Sequence, residues 1–320
     1  MKRLLILCLL FFCTISMSRA AFTVNMGNSL KTGTFHIFPG LSVTGGGDDK
    51  GYAIRFKFSR PTMSGDEINL PGLPNSNWIE GAGSSATDRQ RYINGGATAS
   101  ELQAFLRTVQ IALGMDDTGQ DLIIWIGSDS ATDRGFVHYN PDNGHWYEHG
   151  GGGSWLEAYN NSLDKSFSGL RGYLATLTSV AEKDFLFSIT QENTWLGGLA
   201  RDIRSVQDPV TGKLSDLPDA TQNLNYWYRA AGDEWTGNPL ESIFYDRARR
   251  DDPSSGVAVT YPYTFWKNGE PNNWEGKEFL LHTDTEDGVK KWSDNSNDRW
   301  YHYYIEYSGE MKGITAEGVI

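Results

Sequence analysis

Between Gly51 and Phe58 apolar and polar residues alternate, so that Ile54, Phe56 and Phe58 share one face, the spacing of a half-buried strand. Residues 61–98, rich in Gly, Pro, Ser and Asn, read as loop. The period then changes. Leu102, Phe105, Leu106 and Val109 form one stripe, which predicts a helix from Glu101 to Leu113 with Ser100 as its cap. Asp121 to Ile126 reads as a buried strand. Together these predict a small β-rich domain over residues 21–130 that carries no catalytic constellation. His36 is isolated, and the Asp48 and Asp49 pair reads as a solvated turn.

The second half begins with a Gly-rich joint, Gly150 to Ser154, inside a polar passage over 127–153 that predicts two separately folding halves. Two capping boxes follow, in which a Ser side chain and a Glu three residues on satisfy free N–H groups reciprocally: Ser154 with Glu157, and Ser179 with Glu182. The second opens a helix to about Ile189 with Phe185, Leu186 and Ile189 inward. Gly172 to Thr178 predicts a turn and short strand, and Thr194 to Leu199 another strand. Residues 200–265 form a long excursion of Gly, Pro, Asp and scattered aromatics. Strands return at Phe279 to Thr283, Val289 to Trp292 and Tyr301 to Tyr307. Two helices followed by strands and long loops is an α+β arrangement.

Composition places this pattern in a compartment. Lys2 and Arg3, an apolar run from Leu4 to Ile15 too short to span a bilayer, and Ser18-Arg19-Ala20 predict a signal peptide over residues 1–20, hence a secreted, extracellular protein beginning at Ala21. Its removal leaves 25 basic residues against 40 acids, moving the net charge from −12 to about −15. That charge argues against nucleic acid as a partner and is compatible with a divalent cation. Both cysteines, Cys8 and Cys13, leave with the signal peptide, so no disulfide supports the rest. No later apolar run has the length of a transmembrane helix.

One loop carries candidate chemistry. Glu270, Asn272 and Glu278 supply carboxylate and amide oxygens within nine residues, and Asp294 adds a carboxylate beside Trp292. Calcium takes about 6–8 oxygen ligands in flexible geometry, and Gly269, Pro271 and Gly276 let a loop wrap an ion. The alternative is a solvated acidic surface. With no Cys and no close His pair around this loop, zinc is disfavoured there. Glu270 with Glu278, or Asp284 with Glu286, could be read as a glycosidase carboxylate pair, but no nucleophile–base pairing accompanies them, and the chain is not read as an enzyme.

Taken in order, these segments resemble a C-type-lectin-like domain over roughly Arg134 to Ser308. Trp155-Leu-Glu-Ala158, Tyr173 to Ser179, Glu182 with Phe185-Leu186, and Trp195-Leu-Gly-Gly198 resemble its opening. Trp227 with Gly232 resembles its middle, and Trp266 to Asn273, Trp292-Ser-Asp294 and Tyr304 to Tyr307 resemble its long loop and closing strands. The resemblance implies a C-type-lectin-like fold over 134–308, of a cysteine-free, bacterial-type branch, with residues 309–320 as a tail. It further implies one calcium held by Glu270, Asn272, Glu278 and Asp294, with Ser293 standing where the family has Asn. A cis Glu270–Pro271 bond and a mannose-type preference for equatorial diols, in which the same residues meet the sugar, belong to the same implication. Trp274 is placed to stack on a sugar or to plug the loop, whereas Trp155, Trp195, Trp227 and Trp292 are expected in the core. The resulting expectation is a secreted, calcium-dependent carbohydrate-binding lectin. The alternative is a calcium-independent adhesin whose partner is a cell-surface protein, favoured by Ser293 and by the long stretch between Trp195 and Trp266.

Overall fold

The computed structural model describes residues 22–45, 47–81, 84–114, 121–129, 134–190, 192–203, 206–217, 226–230, 243–246, 265–309 and 314–319. The signal-peptide reading of residues 1–20, Gly232 and most of the excursion over 200–265 lie outside them. In the first half run β1 (Phe22–Asn25), β2 (Leu30–Thr32), β3 (Phe35–Ile37), β4 (Ser42–Gly45), β5 (Lys50–Phe58), β6 (Glu67–Asn69), β7 (Trp78–Glu80), β8 (Asp88–Ala97), α1 (Ala99–Leu106), β9 (Gln110–Ala112) and β10 (Asp121–Asp129). The second half runs β11 (Val137–Tyr139), β12 (Trp146–Gly153), α2 (Trp155–Leu163), β13 (Ser166–Phe167), β14 (Leu170–Leu174), α3 (Val180–Ile189), β15 (Thr194–Leu199), β16 (Tyr226–Arg229) and β17 (Ile243–Asp246). It closes with β18 (Leu280–Glu286), β19 (Val289–Asn295), β20 (Tyr301–Tyr307) and β21 (Ile314–Val319). The class is α+β with strands predominating.

Several local expectations change. The cap of helix α1 lies two residues before Ser100: it is Thr98, with the Glu101 carboxylate accepting the Thr98 N–H at 2.8 Å in a full capping box. It ends at Leu106 because the chain is recruited into β9, which pairs with β3 and β6. Residues 61–98 are not a loop but contain β6, β7 and the ten-residue β8. Polar residues hid β8, and they are tolerated there because they are paired. Glu80 on β7 receives Arg89 at 2.6 Å and Arg91 at 3.1 Å.

The first half builds a five-stranded sheet in the order β21-β10-β5-β8-β7. The period of two gives it two buried faces. Ile54, Phe56, Ile93, Leu122, Ile124 and Ile126 enter one core with Leu102, Phe105 and Leu106 of α1. From the opposite face Ala53 and its partner Tyr92 enter the core of the second half, joined by Tyr52 at the register shift beside them, and Trp125 packs on Trp146 with ring centroids 4.7 Å apart. The passage over 127–153 contains the end of β10 followed by β11 and β12, and contacts cross it between the two halves: the Tyr92 hydroxyl donates to the Tyr139 carbonyl at 3.0 Å, and Arg55 donates to the Tyr139 hydroxyl at 2.9 Å. Residues 309–320 are not simply a tail, since β21 returns to pair antiparallel with β10, from Asp121 opposite Val319 to Ile126 opposite Ile314.

In the second half β20 is central. It pairs with β12 and β14 antiparallel and with β15 parallel, and β15 carries both β16 and the β18–β19 hairpin. The Ser154–Glu157 capping box forms as expected at the start of α2. Trp155, Trp195, Trp227 and Trp292 are all buried, as expected, and the Trp155 indole N–H donates to the Leu196 carbonyl at 2.8 Å.

Arg134 sits at the seam between the halves. Its guanidinium donates to the Glu148 carboxylate, to the Tyr307 hydroxyl at 3.1 Å and to the Ser166 carbonyl at 2.5 Å, and lies 3.5 Å from Asp129 at the end of β10. The side chains of Arg134, Glu148, Tyr307 and Asp129 are nearly inaccessible to solvent. Removing one partner of a buried pair strands the other charge. Arg134→Met should therefore cost about 3–5 kcal/mol, and adding Glu148→Leu should recover much of that loss, both read from urea unfolding curves.

Candidate functional site

The loop before β18 is held against the hairpin by backbone bonds: Trp292 N–H donates to the Phe265 carbonyl at 2.7 Å and Lys267 N–H to the Trp292 carbonyl at 2.8 Å. Residues 268–277 are thereby draped over the end of β19, where Asp294 is only 2% exposed. The Asp294 carboxylate accepts N–H groups from Asn272 at 3.0 Å and Asn273 at 2.8 Å. Glu270 accepts the Asn272 backbone N–H at 3.0 Å and its side-chain amide at 3.1 Å. Glu278 accepts the Trp274 N–H at 3.1 Å and donates its own N–H to the Asn273 amide oxygen at 3.2 Å. The Glu270–Pro271 bond is cis. Asn273 turns the loop at φ 52°, a left-handed conformation that Asn tolerates better than most residues.

Of the five residues expected here, Glu270, Asn272, Glu278 and Asp294 are brought together, three acids and an amide from three points of the chain. Ser293 is not. It precedes Asp294 on β19, so its side chain leaves the opposite face of the strand, and its hydroxyl reaches only the Asp294 carbonyl at 3.5 Å. Trp274 lies on the outside of the loop, 67% exposed.

The acids repel one another. The Glu270 carboxyl is pushed up to about 7, first by burial and then by the hydrogen bond and charge of Asp294, with Glu278 adding to it. Glu278 is raised by burial and by Asp294. The donors at hand are all oxygens, and half-buried carboxylates crowded to this degree favour either a proton or a hard cation. The residues present thus fit calcium by donor chemistry.

Two other clusters escaped the sequence. Of the capping box expected on Ser179 only half forms: the Glu182 N–H donates to the Ser179 hydroxyl at 3.1 Å, but the Glu182 carboxylate does not return to the cap. That carboxylate instead takes the Thr178 N–H at 2.6 Å and the Tyr147 hydroxyl at 2.5 Å, because it is buried beside Glu306 and His145. His149, Glu192 and His302 form the second cluster, each offering a ligand atom within 4.8 Å of the others. The expectation of no close His pair overlooked His145 and His149, four positions apart, and the pair that the fold brings together is a distant one: His149 and His302 are 153 positions apart and their ring nitrogens lie 3.0 Å apart. No local spacing signals either cluster, since strand pairing assembles both.

The electrostatics of Glu270 can be tested without any ligand. A carboxyl whose folded pKa is raised stabilises the fold below the ordinary carboxylate range and loses that contribution as pH rises through about 7. In chelator at pH 8, Glu270→Gln should raise the melting temperature above that of the parent chain, and the difference should shrink as pH is lowered toward about 4.5. Differential scanning calorimetry across that range measures it.

No family model matches the chain. Halomucin of Haloquadratum walsbyi is 27% identical over 316 residues, which covers 90% of this chain and 3% of halomucin, so the chain spans a small fraction of that relative's length. Solved structures similar to this chain include C-type lectin domains. The C-type lectin CEL-I from Cucumaria echinata is 18% identical, with 52% of this chain and 91% of that one covered and a TM-score of 0.32. The carbohydrate-recognition domain of the mouse scavenger receptor C-type lectin is 18% identical, with 52% and 90% covered and a TM-score of 0.31. The C-type lectin domain of murine dendritic cell inhibitory receptor 2, solved in complex with an N-glycan, is 16% identical, with 52% and 91% covered and a TM-score of 0.31.

Proposed function

We propose that the chain is a secreted, calcium-dependent carbohydrate-binding protein whose site is the loop of Glu270, Asn272 and Glu278 over Asp294. The observation that carries this reading is the convergence of three carboxylates that accept hydrogen bonds from backbone N–H groups and one amide, with Glu270 pushed up to about 7 by burial and then by Asp294. Glu270, Asn272, Glu278 and Asp294 would hold the ion. A bound calcium supplies open coordination positions for two neighbouring sugar hydroxyls. Around them Glu270 and Glu278 accept hydrogen bonds and the Asn272 amide donates one, a polarity that suits an equatorial diol of the mannose type. Asp294 shapes the loop by holding the Asn272 and Asn273 N–H groups, and the exposed Trp274 offers a ring face beside it.

A calcium-independent protein-binding adhesin is the second reading. It is favoured by Ser293, whose hydroxyl is spent on a backbone carbonyl and leaves the donor set one short.

Calcium at a hundredfold excess over Kd should add about 2.7 kcal/mol of stability. Binding to an immobilised mannose-type glycan should disappear in chelator. Asp294→Ala should remove both effects, and Glu270→Gln with Asn272→Asp should shift preference about tenfold toward galactose-type sugars, because a polar group left unpaired around the ion costs about 1–3 kcal/mol. A melting curve indifferent to calcium, with glycan or protein binding unchanged in chelator, decides for the adhesin.

A further inference from the structure

Strands β12 and β20 pair antiparallel, with His149 opposite Tyr304 and, after a bulge at Gly150, Gly152 opposite His302. Residues 302 and 304 share a face of β20, so His149 and His302 become diagonal neighbours on that face. On the other side of β20, Thr194 of β15 pairs with His302, and Glu192 lies two residues before it. His302 is thus flanked by a histidine from one neighbouring strand and a carboxylate from the approach to the other. Its Nδ1 lies 3.0 Å from His149 Nε2, and its Nε2 lies 3.1 Å from a Glu192 oxygen.

We propose that His149 and His302, with Glu192 as their orienting carboxylate, form a binding site for a divalent transition-metal ion of the zinc class. It shares no residue with the oxygen-lined loop. A carboxylate on one nitrogen of a histidine keeps the proton there and leaves the other nitrogen's lone pair for a metal. Glu192 on Nε2 of His302 therefore directs the Nδ1 lone pair toward His149. In the metal-free molecule that lone pair accepts the His149 Nε2–H. With a metal, His149 carries its proton on Nδ1 instead, and both facing nitrogens become ligands. Imidazole donors select zinc, copper or nickel over calcium and magnesium.

The rings are set before any ion arrives. His302 stands edge-on to Trp300 with centroids 5.3 Å apart, and His149 edge-on to Tyr304 at 5.4 Å. Trp300 in turn lies on Gly152, where a Cβ would meet the indole at 2.0 Å, so a larger residue at 152 would displace this ring. His149 and Glu192 are exposed, which gives an ion and its remaining water or external ligands access from solvent. Lys290, on which the charges of Asp284 and Glu192 both act, donates to the Asn193 amide oxygen at 2.7 Å.

Isothermal titration of the full chain with zinc chloride, in calcium-containing buffer, tests this. One zinc per chain is expected. His149→Gln and His302→Gln should each weaken it by about 100-fold or more, and Glu192→Gln by about 10- to 100-fold, the range for loss of an orienting partner. His145→Gln should leave it unchanged, and each surface variant should keep the parent's melting temperature. The proposal is overturned if millimolar zinc gives no binding, if His149→Gln binds as tightly as the parent, or if His145→Gln alone abolishes binding, which would place the ion in the buried cluster.

Discussion

Glu306 is buried in the middle of the second-half sheet, and a carboxyl group in that position must have every oxygen occupied. One oxygen faces His145 Nδ1 at 2.6 Å and the Tyr147 hydroxyl at 3.4 Å, while the other accepts the Thr176 N–H at 2.9 Å. Tyr147 passes the network on to Glu182, which also takes the Asn143 amide at 3.1 Å and the Thr178 hydroxyl at 2.7 Å. Burial, and then the charge of Glu182, push Glu306 up to about 8. The network joins β12, β20, the exit of β14 and the first turn of α3. No cysteine follows Cys13, so these segments are cross-tied by polar contacts and packing alone.

The candidate sites inherit their rigidity from this arrangement. β20 presents His302 directly. It also pairs with β15, which carries the β18–β19 hairpin and so fixes Asp294 in space. The loop then folds onto Asp294 through its own backbone N–H groups. A site of this kind, with donors on a loop and their frame in a sheet, combines adaptable ligands with a fixed position.

The molecule treats acids in two ways. Glu148 is buried but neutralised by Arg134 and the Tyr307 hydroxyl, which donates to it at 2.6 Å, and this node joins the two halves. Glu270, Glu278 and Asp294 are gathered with backbone and amide donors in place of a guanidinium. The first arrangement stabilises the fold. The second leaves mutual repulsion that only a proton or a cation relieves, and such local strain is characteristic of binding sites.

Features governed by neighbours within four residues were legible in the sequence. The Ser154–Glu157 capping box, the alternation of β5, the apolar strand β10 and the burial of the four tryptophans follow from local spacing and side-chain chemistry. The membership of Glu270, Asn272, Glu278 and Asp294 in one cluster was legible through a family resemblance carried by their order in the chain. What needed the tertiary structure was every feature whose partner lies far along the chain. β8 looks like loop until Glu80 pairs its arginines. Residues 314–319 look like a tail until β10 offers an edge. Glu182 looks like a cap until Tyr147 and Thr178 claim it, and Ser293 looks like a ligand until the strand turns it away. His149 and His302 become neighbours only when β12 and β20 pair. Local rules constrain torsions and caps, whereas strand pairing brings together residues from distant parts of the chain, so it alone decides which side chains share a face.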